Sequence, residues 1–468
     1  MGRGAAASLY RLEVPDVDRS APLHPHPHPH AAPTVRVGLL GCGNVGGALA
    51  EILLTRSDDV AARTGIRLEL VGIVVADPTK PRPAAVDAAL IGTDAAALVA
   101  RPDVDVVVEL IGGLHPAHEL IETALRNGKP VVTGNKALLA VAGAELAEVA
   151  AGAGVDLLYE AAVAGAIPVI RPLRESLAGE QILRVMGIVN GTTNYILSRM
   201  EEEGDSYEDV LREAQALGLA ERDPTADVEG HDAAAKAAIL AALAFGGDVV
   251  DADVHREGIS SVSAADVAYA NRLGYSVKLL AIAELVDGGP EVSVRVHPAM
   301  VPRTHPLASV RGAFNAVFVE GAVSGELMLY GRGAGGGPTA SAILGDLVDS
   351  ARNLLAGAPA PAPKRTSTTV RPQSEMRSAF CLSMDVADRP GVLAAVAKIF
   401  GDHEVSIRAM EQVGLAEEAR LIFLTHVARE GDLLATIDEL RRHQAVDRVS
   451  GVLRVIGEPA EAAAGSRS

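Results

Sequence analysis

A chain of 468 residues is too long for one core, and its length sets a prior of about three domains. Apolar residues make up 49% of it, aromatics only 3%, and Trp is absent, so its core must come from Ala, Val, Leu and Ile, which suits buried parallel strands under Ala-rich helices. A formal charge of −18 disfavours nucleic acid as a partner, and two distant cysteines, Cys42 and Cys381, exclude a disulfide framework or a CxxC zinc motif. With no apolar run long enough for a bilayer and no signal pattern at the N-terminus, a cytoplasmic location without membrane partners is expected.

Residues 1–33 read as an unstructured His/Pro-rich leader, because the run HPHPHPH from His24 to His30 cannot form a helix. From Val35 the texture changes. TVRVGLLG, LELVGIVVAD, DVDVVVELIGG, KPVVTG and VDLLYEAAV read as buried strands, with NVGGALAEILL, HELIETALRNG and LAEVAAGAG as helices between them. This alternation predicts an α/β, Rossmann-type dinucleotide-binding domain over 34–159. Its first βα turn is GCGNVG. There Gly41 permits the tight turn, Gly43 lets a pyrophosphate approach the backbone, and Gly46 allows close helix–strand packing.

The second strand is expected to end at Asp77, later than the usual spacing, with TRSDDVAARTG as an intervening helix or loop. Asp77 can take the ribose 2′-hydroxyl of NAD, whereas Lys80 and Arg82 can meet the 2′-phosphate of NADP; spacing does not choose between them. The run TGNK then sets Lys136 at the carboxyl edge of the sheet, where open α/β folds bind ligands.

Beyond Glu160 the pattern shifts to longer helices and fewer strands, an α+β catalytic and dimerisation domain over 160–334. Helices are expected at Tyr195–Glu203, Tyr207–Leu217 and Asp232–Phe245, with strands at EVSVRVHPAMV and NAVFVEG. The cluster LGLAERDPTADVEGHDAAAK packs Glu221, Asp227 and Asp232 close to Lys236, and Asp232 and Lys236 share a helix face. Carboxylates near a lysine can hold an ammonium group and tune a general acid–base. The glycine run GRGAGGGPT leads into a helix near 335–355 that completes the first domain. A Pro/Ala/Thr-rich linker over 356–375 follows, from Ala356 to Gln373 in its most biased part. Residues 379–457 form a separable unit of βαββαβ order, a ferredoxin-like plan, and 458–468 a polar tail.

The run GIVNGTTNYIL (Gly187–Leu197), with EAAVAGAIPVI (Glu160–Ile170), DPTADVEGHDAAAK and RLGYSVKLLA, resembles the signature of the homoserine dehydrogenase family, and the likeness extends from about Val35 to Leu355. DRPGVLAAVAKIFGDHEVSI (Asp388–Ile407) is similar to the start of an ACT domain.

That resemblance implies reversible, NADP- or NAD-dependent interconversion of homoserine and aspartate 4-semialdehyde, in the synthesis of threonine, methionine and isoleucine. It implies Lys236 and Lys136 as the catalytic lysines, with Lys236 preferred as proton donor. Glu221, Asp227 and Asp232 match the substrate pocket, and Gly41, Gly43, Asn44, Val45, Gly46, Asp77, Lys80, Gly112, Thr133, Lys136 and Gly335 match cofactor contacts. A structural, sodium-type monovalent cation is implied at Glu160, Val163, Gly165 and Ile167, held mostly by backbone carbonyls. It also implies a homodimer or homotetramer and an amino-acid effector on the ACT unit, with threonine preferred. One departure is Ala76, where NADP-preferring members often carry Arg. A non-catalytic amino-acid sensor is the rival reading, and the joint presence of Lys136, Glu221, Asp232 and Lys236 argues against it.

Overall fold

The computed structural model describes residues 32–360, 368–415 and 418–457. The expected tail, most of the expected leader and the middle of the expected linker lie outside them. The first domain opens with strand β1 (Thr34–Leu40), helices α1 (Asn44–Thr55) and α2 (Ser57–Thr64), and β2 (Arg67–Val74). It continues through β3 (Ile91–Gly92), α3 (Ala95–Ala100), β4 (Val106–Glu109), α4 (Ala117–Arg126), β5 (Val131–Thr133), α5 (Lys136–Ala153) and β6 (Leu157–Leu158). The strands form one parallel sheet in the order β3-β2-β1-β4-β5-β6. The order reverses between β1 and β4, so their carboxyl ends frame the crevice where such sheets bind ligands.

Strand two stops at Val74, short of the expected Asp77, because the chain leaves the sheet before that acid and Asp77 turns back on Thr79. The stretch that delays it is helix α2, closed by the left-handed Gly65.

In the second domain, β7 (Ile182–Ile188) runs into α6 (Gly191–Glu203), α7 (Tyr207–Ala216), α8 (Thr225–Val228) and α9 (His231–Phe245). After β8 (His255–Arg256) and α10 (Ala264–Arg272) come β9 (Tyr275–Leu285), β10 (Glu291–Pro302), β11 (Phe314–Gly321) and β12 (Gly325–Arg332). The sequence suggested fewer strands here. YSVKLLAIAEL in β9 is apolar almost throughout, so its period does not separate strand from helix. Pairing with β10 on one side and β7 on the other makes it a strand. Helix α9 lies on this sheet through Ala233, Ala234, Ala237, Ala238 and Ala241, all buried, and such small side chains let helix and sheet pack closely.

Helix α11 (Gly336–Ala356) then returns to the first domain. Its Ala340, Ile343, Leu347 and Ala351 join Leu39, Leu49 and Val106 in one core.

The C-terminal unit begins with β13 (Thr369–Val370), β14 (Arg377–Ala387), α12 (Val392–Asp402) and β15 (Ile407–Leu415). It ends with β16 (Glu418–Thr425), β17 (Ala428–Arg429), α13 (Glu430–Arg442) and β18 (Val446–Val455). Its sheet order, β18-β14-β16-β15, is that of the ferredoxin-like plan. The expected separability needs correction. Thr369–Val370, inside the expected linker, pairs with β10, and β18 also pairs with β10 through Ala299–Arg454 and Met300–Val455. One sheet therefore runs from β12 to β15. Cys381, Ile422, Leu453 and Val455 belong to the same core as Met300 and Val296. Cutting the chain before Pro372 would bare that core and part of the β10 edge, an invitation to aggregation.

Arg454, 3% exposed, fastens the joint: it pairs with Glu257 and with the fully buried Glu430, both at 2.8 Å. Removing one partner from a buried ion cluster leaves uncompensated charge. Arg454→Leu should therefore lower stability at pH 7 by about 3–5 kcal/mol, read from urea unfolding. A loss below about 1 kcal/mol would mean that the cluster behaves as a surface pair.

Candidate active site

Three of the singled-out side chains meet where the two domains touch. Asn135 caps α5 by accepting from the Leu138 N–H, which makes Lys136 the first residue of that helix, just beyond β5. Lys236 stands one turn after Asp232 on α9. Asp232 Oδ1 lies 3.1 Å from Lys136 Nζ, and its Oδ2 lies 2.6 Å from Lys236 Nζ. Lys236 also donates to the carbonyl of Val189 at 2.7 Å. An ammonium has three N–H donors, so this buried group keeps one unspent.

Burial by itself would raise the pKa of Asp232. Lys236 and Lys136, with hydrogen bonds from Lys236 and Asn190, outweigh it and hold the carboxyl well below the usual range. Asp232 is therefore an anion throughout the physiological range. Asn190 donates from Nδ2 to both Asp227 (2.6 Å) and Asp232 (3.0 Å), which draws Asp227 into the cluster. Thr192 adds a hydroxyl bond to Asp227. Glu221 stands apart from this network. It is exposed, and its carboxylate has no partner among the described residues.

The glycine turn differs at its three positions. Gly41 has φ +94° and a Cβ there would fall 2.5 Å from the Leu110 carbonyl oxygen; a Cβ at Gly46 would fall 2.1 Å from the Gly41 carbonyl oxygen. Gly46 thus packs helix against turn, where the sequence suggested helix against strand. A Cβ at Gly43 would meet nothing within 4 Å. Helix α1 begins there with Asn44 and Val45 and no side-chain cap, leaving its first N–H groups for a ligand. Helix α11 also opens uncapped, at Gly335 (φ +119°), and Gly336 packs against the Asn44 backbone. Two free helix N-termini therefore converge at the crevice, and both favour an anion.

Opposite them, the buried Glu109 binds the N–H groups of Ile111 and Gly112 and the hydroxyl of Thr133 (2.6 Å), fixing the loop after β4 to the end of β5. Around Asp77, the Thr79 hydroxyl and N–H hold its carboxyl below the usual range. Arg82 spends its two terminal nitrogens on the carbonyls of Cys42 and Asp77, both at 2.9 Å. Lys80 and Ala76 are exposed.

The four residues matched to a cation lie on one turn. Glu160 turns its carboxylate onto the N–H groups of Val169, Ile170 and Arg171. Its own N–H donates to Asp346, which burial pushes up to about 7. The carbonyls of Val163, Gly165 and Ile167 accept no hydrogen bond among the described residues. No group of three or more His, Cys, Asp or Glu that could hold a metal occurs among the described residues, and no helix there is long and apolar enough to cross a membrane.

Residues 41–160 match the family model for the homoserine dehydrogenase NAD binding domain, 168–348 that for homoserine dehydrogenase, and 382–443 that for the ACT domain. The homoserine dehydrogenase of Mycobacterium tuberculosis is 51% identical over 433 residues, covering 90% of this chain and 98% of the relative. That of Corynebacterium glutamicum is 50% identical over 425 residues, covering 90% and 95%. The chain belongs to the homoserine dehydrogenase family. Among solved structures, a homoserine dehydrogenase from Thiobacillus denitrificans superposes with a TM-score of 0.85 at 42% identity, covering 90% of this chain and 98% of that one. A hyperthermophilic archaeal homoserine dehydrogenase in complex with NADPH gives 0.58 at 28% identity, covering 71% and 100%. The chain is accordingly an NAD(P)-dependent oxidoreductase with a C-terminal ACT domain.

Sequence reasoning passed over Asn190, Glu109 and Asp346 as individual residues. Asn190 sits in a quoted motif, but an Asn before a helix is the ordinary capping signal, and it does cap α6. Its second task, joining two carboxylates, arises only when α8 and α9 fold back on it. The glycine geometry separates two effects in this dehydrogenase. Gly46→Ala should lower the melting temperature without any cofactor. Gly43→Ala should leave that temperature unchanged and weaken NADPH binding by about tenfold or more. Calorimetry and fluorescence titration read the two; equal melting losses in both variants would refute the assignment.

Proposed function

We propose that the crevice carries reversible hydride transfer between L-homoserine and L-aspartate 4-semialdehyde, with Lys236 as the acid–base group. The carrying observation is the Lys136–Asp232–Lys236 cluster, which holds an ammonium with one free N–H beside the dinucleotide crevice. NADPH or NADH supplies the hydride when bound.

In the reducing direction Lys236 gives its free proton to the aldehyde oxygen as that oxygen becomes an alkoxide, and recovers one from water afterwards. Asp232 orients Lys236 through their 2.6 Å contact. Lys136, whose side chain is 43% exposed, adds positive charge at the rim and contacts substrate or nicotinamide. Glu221, with its unspent carboxylate, takes the substrate α-ammonium together with Asp227. Backbone N–H groups at Gly43, Asn44, Val45, Gly46 and Gly335 hold the pyrophosphate, Gly41 shapes the turn with its own N–H given to the Val74 carbonyl, and Gly112 and Thr133 line the nicotinamide side. Asp77 and Lys80 meet the adenosine ribose.

The free carbonyls at Val163, Gly165 and Ile167, with that of Glu160, offer the oxygen donors that a sodium-type ion prefers. The ACT domain binds an amino-acid effector, threonine by preference, at its DRPGVL turn and inhibits the enzyme; the assembly is a homodimer or homotetramer. A cytoplasmic site of action suits this chemistry.

A homoserine-dependent rise in absorbance at 340 nm tests the activity. Lys236→Ala should lower kcat by at least about 100-fold with the fold retained by circular dichroism; near-normal turnover would remove Lys236 from the mechanism. Cofactor choice is expected to be weak. Ala76 brings no guanidinium and Arg82 is spent on two carbonyls, so Lys80 alone faces a 2′-phosphate. The kcat/KM ratio of NADP to NAD should stay below about tenfold. A ratio near 100 would require Arg82 to leave its carbonyls.

A further inference from the structure

The seam between the catalytic sheet and the ACT domain borders a half-open cavity of about 260 Å³. It is bounded by β7 and β9, by β10 at Arg295 and His297, by the start of β14 and by the end of β18. It shares no residue with the lysine–aspartate cluster or with the DRPGVL turn. A space of this size accommodates a small metabolite.

Its polar groups are unevenly spent. Arg295, 6% exposed, gives one terminal nitrogen to Ser293 Oγ at 2.5 Å and to Glu284 Oε1 at 2.7 Å, yet its Nε is buried with no hydrogen-bond partner among the described residues. The other oxygen of Glu284 is taken by Arg184 at 2.8 Å, so beyond its one contact with Glu284 no lining carboxylate among the described residues is left for the Arg295 Nε. Arg377 reaches the same cavity from an exposed position, and its guanidinium forms no hydrogen bond or ion pair among the described residues.

His297 is fully buried, and its Nδ1 lies 3.1 Å from the Pro298 carbonyl oxygen. A carbonyl only accepts, so the ring proton sits on Nδ1 and Nε2 presents a lone pair. That Nε2 is buried and has no hydrogen-bond partner among the described residues. Burial, reinforced by Arg454 and Arg295, keeps the ring neutral. One guanidinium nitrogen of Arg295 and one ring nitrogen of His297 thus lie buried and unpaired in residues that wall a single small cavity, and Arg377 reaches it from its exposed side. Leaving the Arg295 Nε and the His297 Nε2 unpaired costs free energy, and a ligand that engages them removes that cost.

We propose that this cavity binds a small amino acid or hydroxy acid, its carboxylate received by Arg295 and Arg377 and its N–H or O–H donated to His297 Nε2. A bare anion leaves the histidine acceptor empty, and a bare amine leaves the arginines empty. The molecule must therefore carry both groups on a short frame. Bound there, it touches the catalytic sheet and both strands that join the ACT domain to it.

Calorimetric titration of the full chain with L-serine, glycolate, acetate, ethanolamine and inorganic phosphate tests the proposal. L-serine or glycolate should bind saturably, and each of the other three at least about tenfold more weakly. Serine against glycolate separates the amino from the hydroxy source. Arg377→Ala, at an exposed position that should not affect folding, should weaken binding by about tenfold or more, the loss of a charge-assisted contact. In ¹⁵N-histidine spectra the Nε2 resonance of His297, assigned with His297→Gln, should move when the ligand is added. The proposal is overturned by the absence of saturable binding up to about 10 mM, by phosphate binding as tightly as serine and glycolate, or by an unmoved Nε2. It is equally overturned if Asp388→Ala abolishes binding while Arg377→Ala does not, since that puts the ligand at the ACT turn.

Discussion

One carboxylate compensates two ammonium groups that arrive on different domains. Lys136 comes from the start of α5 in the dinucleotide-binding domain, Lys236 from α9 in the catalytic domain, and Asp232 stands between them. At an effective dielectric near 20, unit charges about 4 Å apart attract by about 4 kcal/mol. Two such attractions exceed the cost of burying the carboxylate, so it stays ionised. The same arrangement leaves Lys236 short of one acceptor, and a substrate oxygen can supply it. The contact between the two domains and the proposed proton chemistry thus share one side chain.

The cofactor crevice is built from backbone in the same economical way. Gly41 and Gly46 lack side chains because carbonyl oxygens occupy the space that a Cβ would need, and Gly43 lacks one because the space is kept open. Helix α11 is remote in sequence from α1, yet its N-terminus lies against Asn44. Burial of Ile343 and Leu347 in the first core holds it there, and Arg171 ties its middle to the catalytic domain through Asp346 and Asp349. The anion-favouring end of the crevice is therefore a product of tertiary packing as much as of the glycine motif.

At the other end of the molecule, the ACT domain continues the catalytic sheet instead of hanging from a tether. β10 is a shared element: β9 pairs along its length, while β13, β8 and β18 use separate stretches of it. β18 is thereby joined to β10 by hydrogen bonds, and Arg454 on β18 is joined to Glu257 beside β8. Such a joint is a continuous physical connection between the ACT domain and the catalytic domain, with the seam cavity along it.

The sequence alone determined the elements with strong local signals. The βα alternation, the GCGNVG turn, the Asp232–Lys236 spacing and the βαββαβ order of the C-terminal unit are all written in short-range pattern, because hydrophobic period, turn glycine and helix register are local properties. Local placement also singled out Lys136 and Glu221, and the family resemblance supplied the roles expected of them. What only the tertiary structure decided are the long-range pairings. Asn190 joins Asp227 to Asp232 across three helices, Arg82 turns back to Cys42, and β18 adds to β10 from across the linker. Each depends on segments distant in sequence meeting at one edge or one carboxylate. The period-two pattern of a strand records which face is buried, not which neighbour it will take, so the sheet that unites two domains could not be read until the chain was folded.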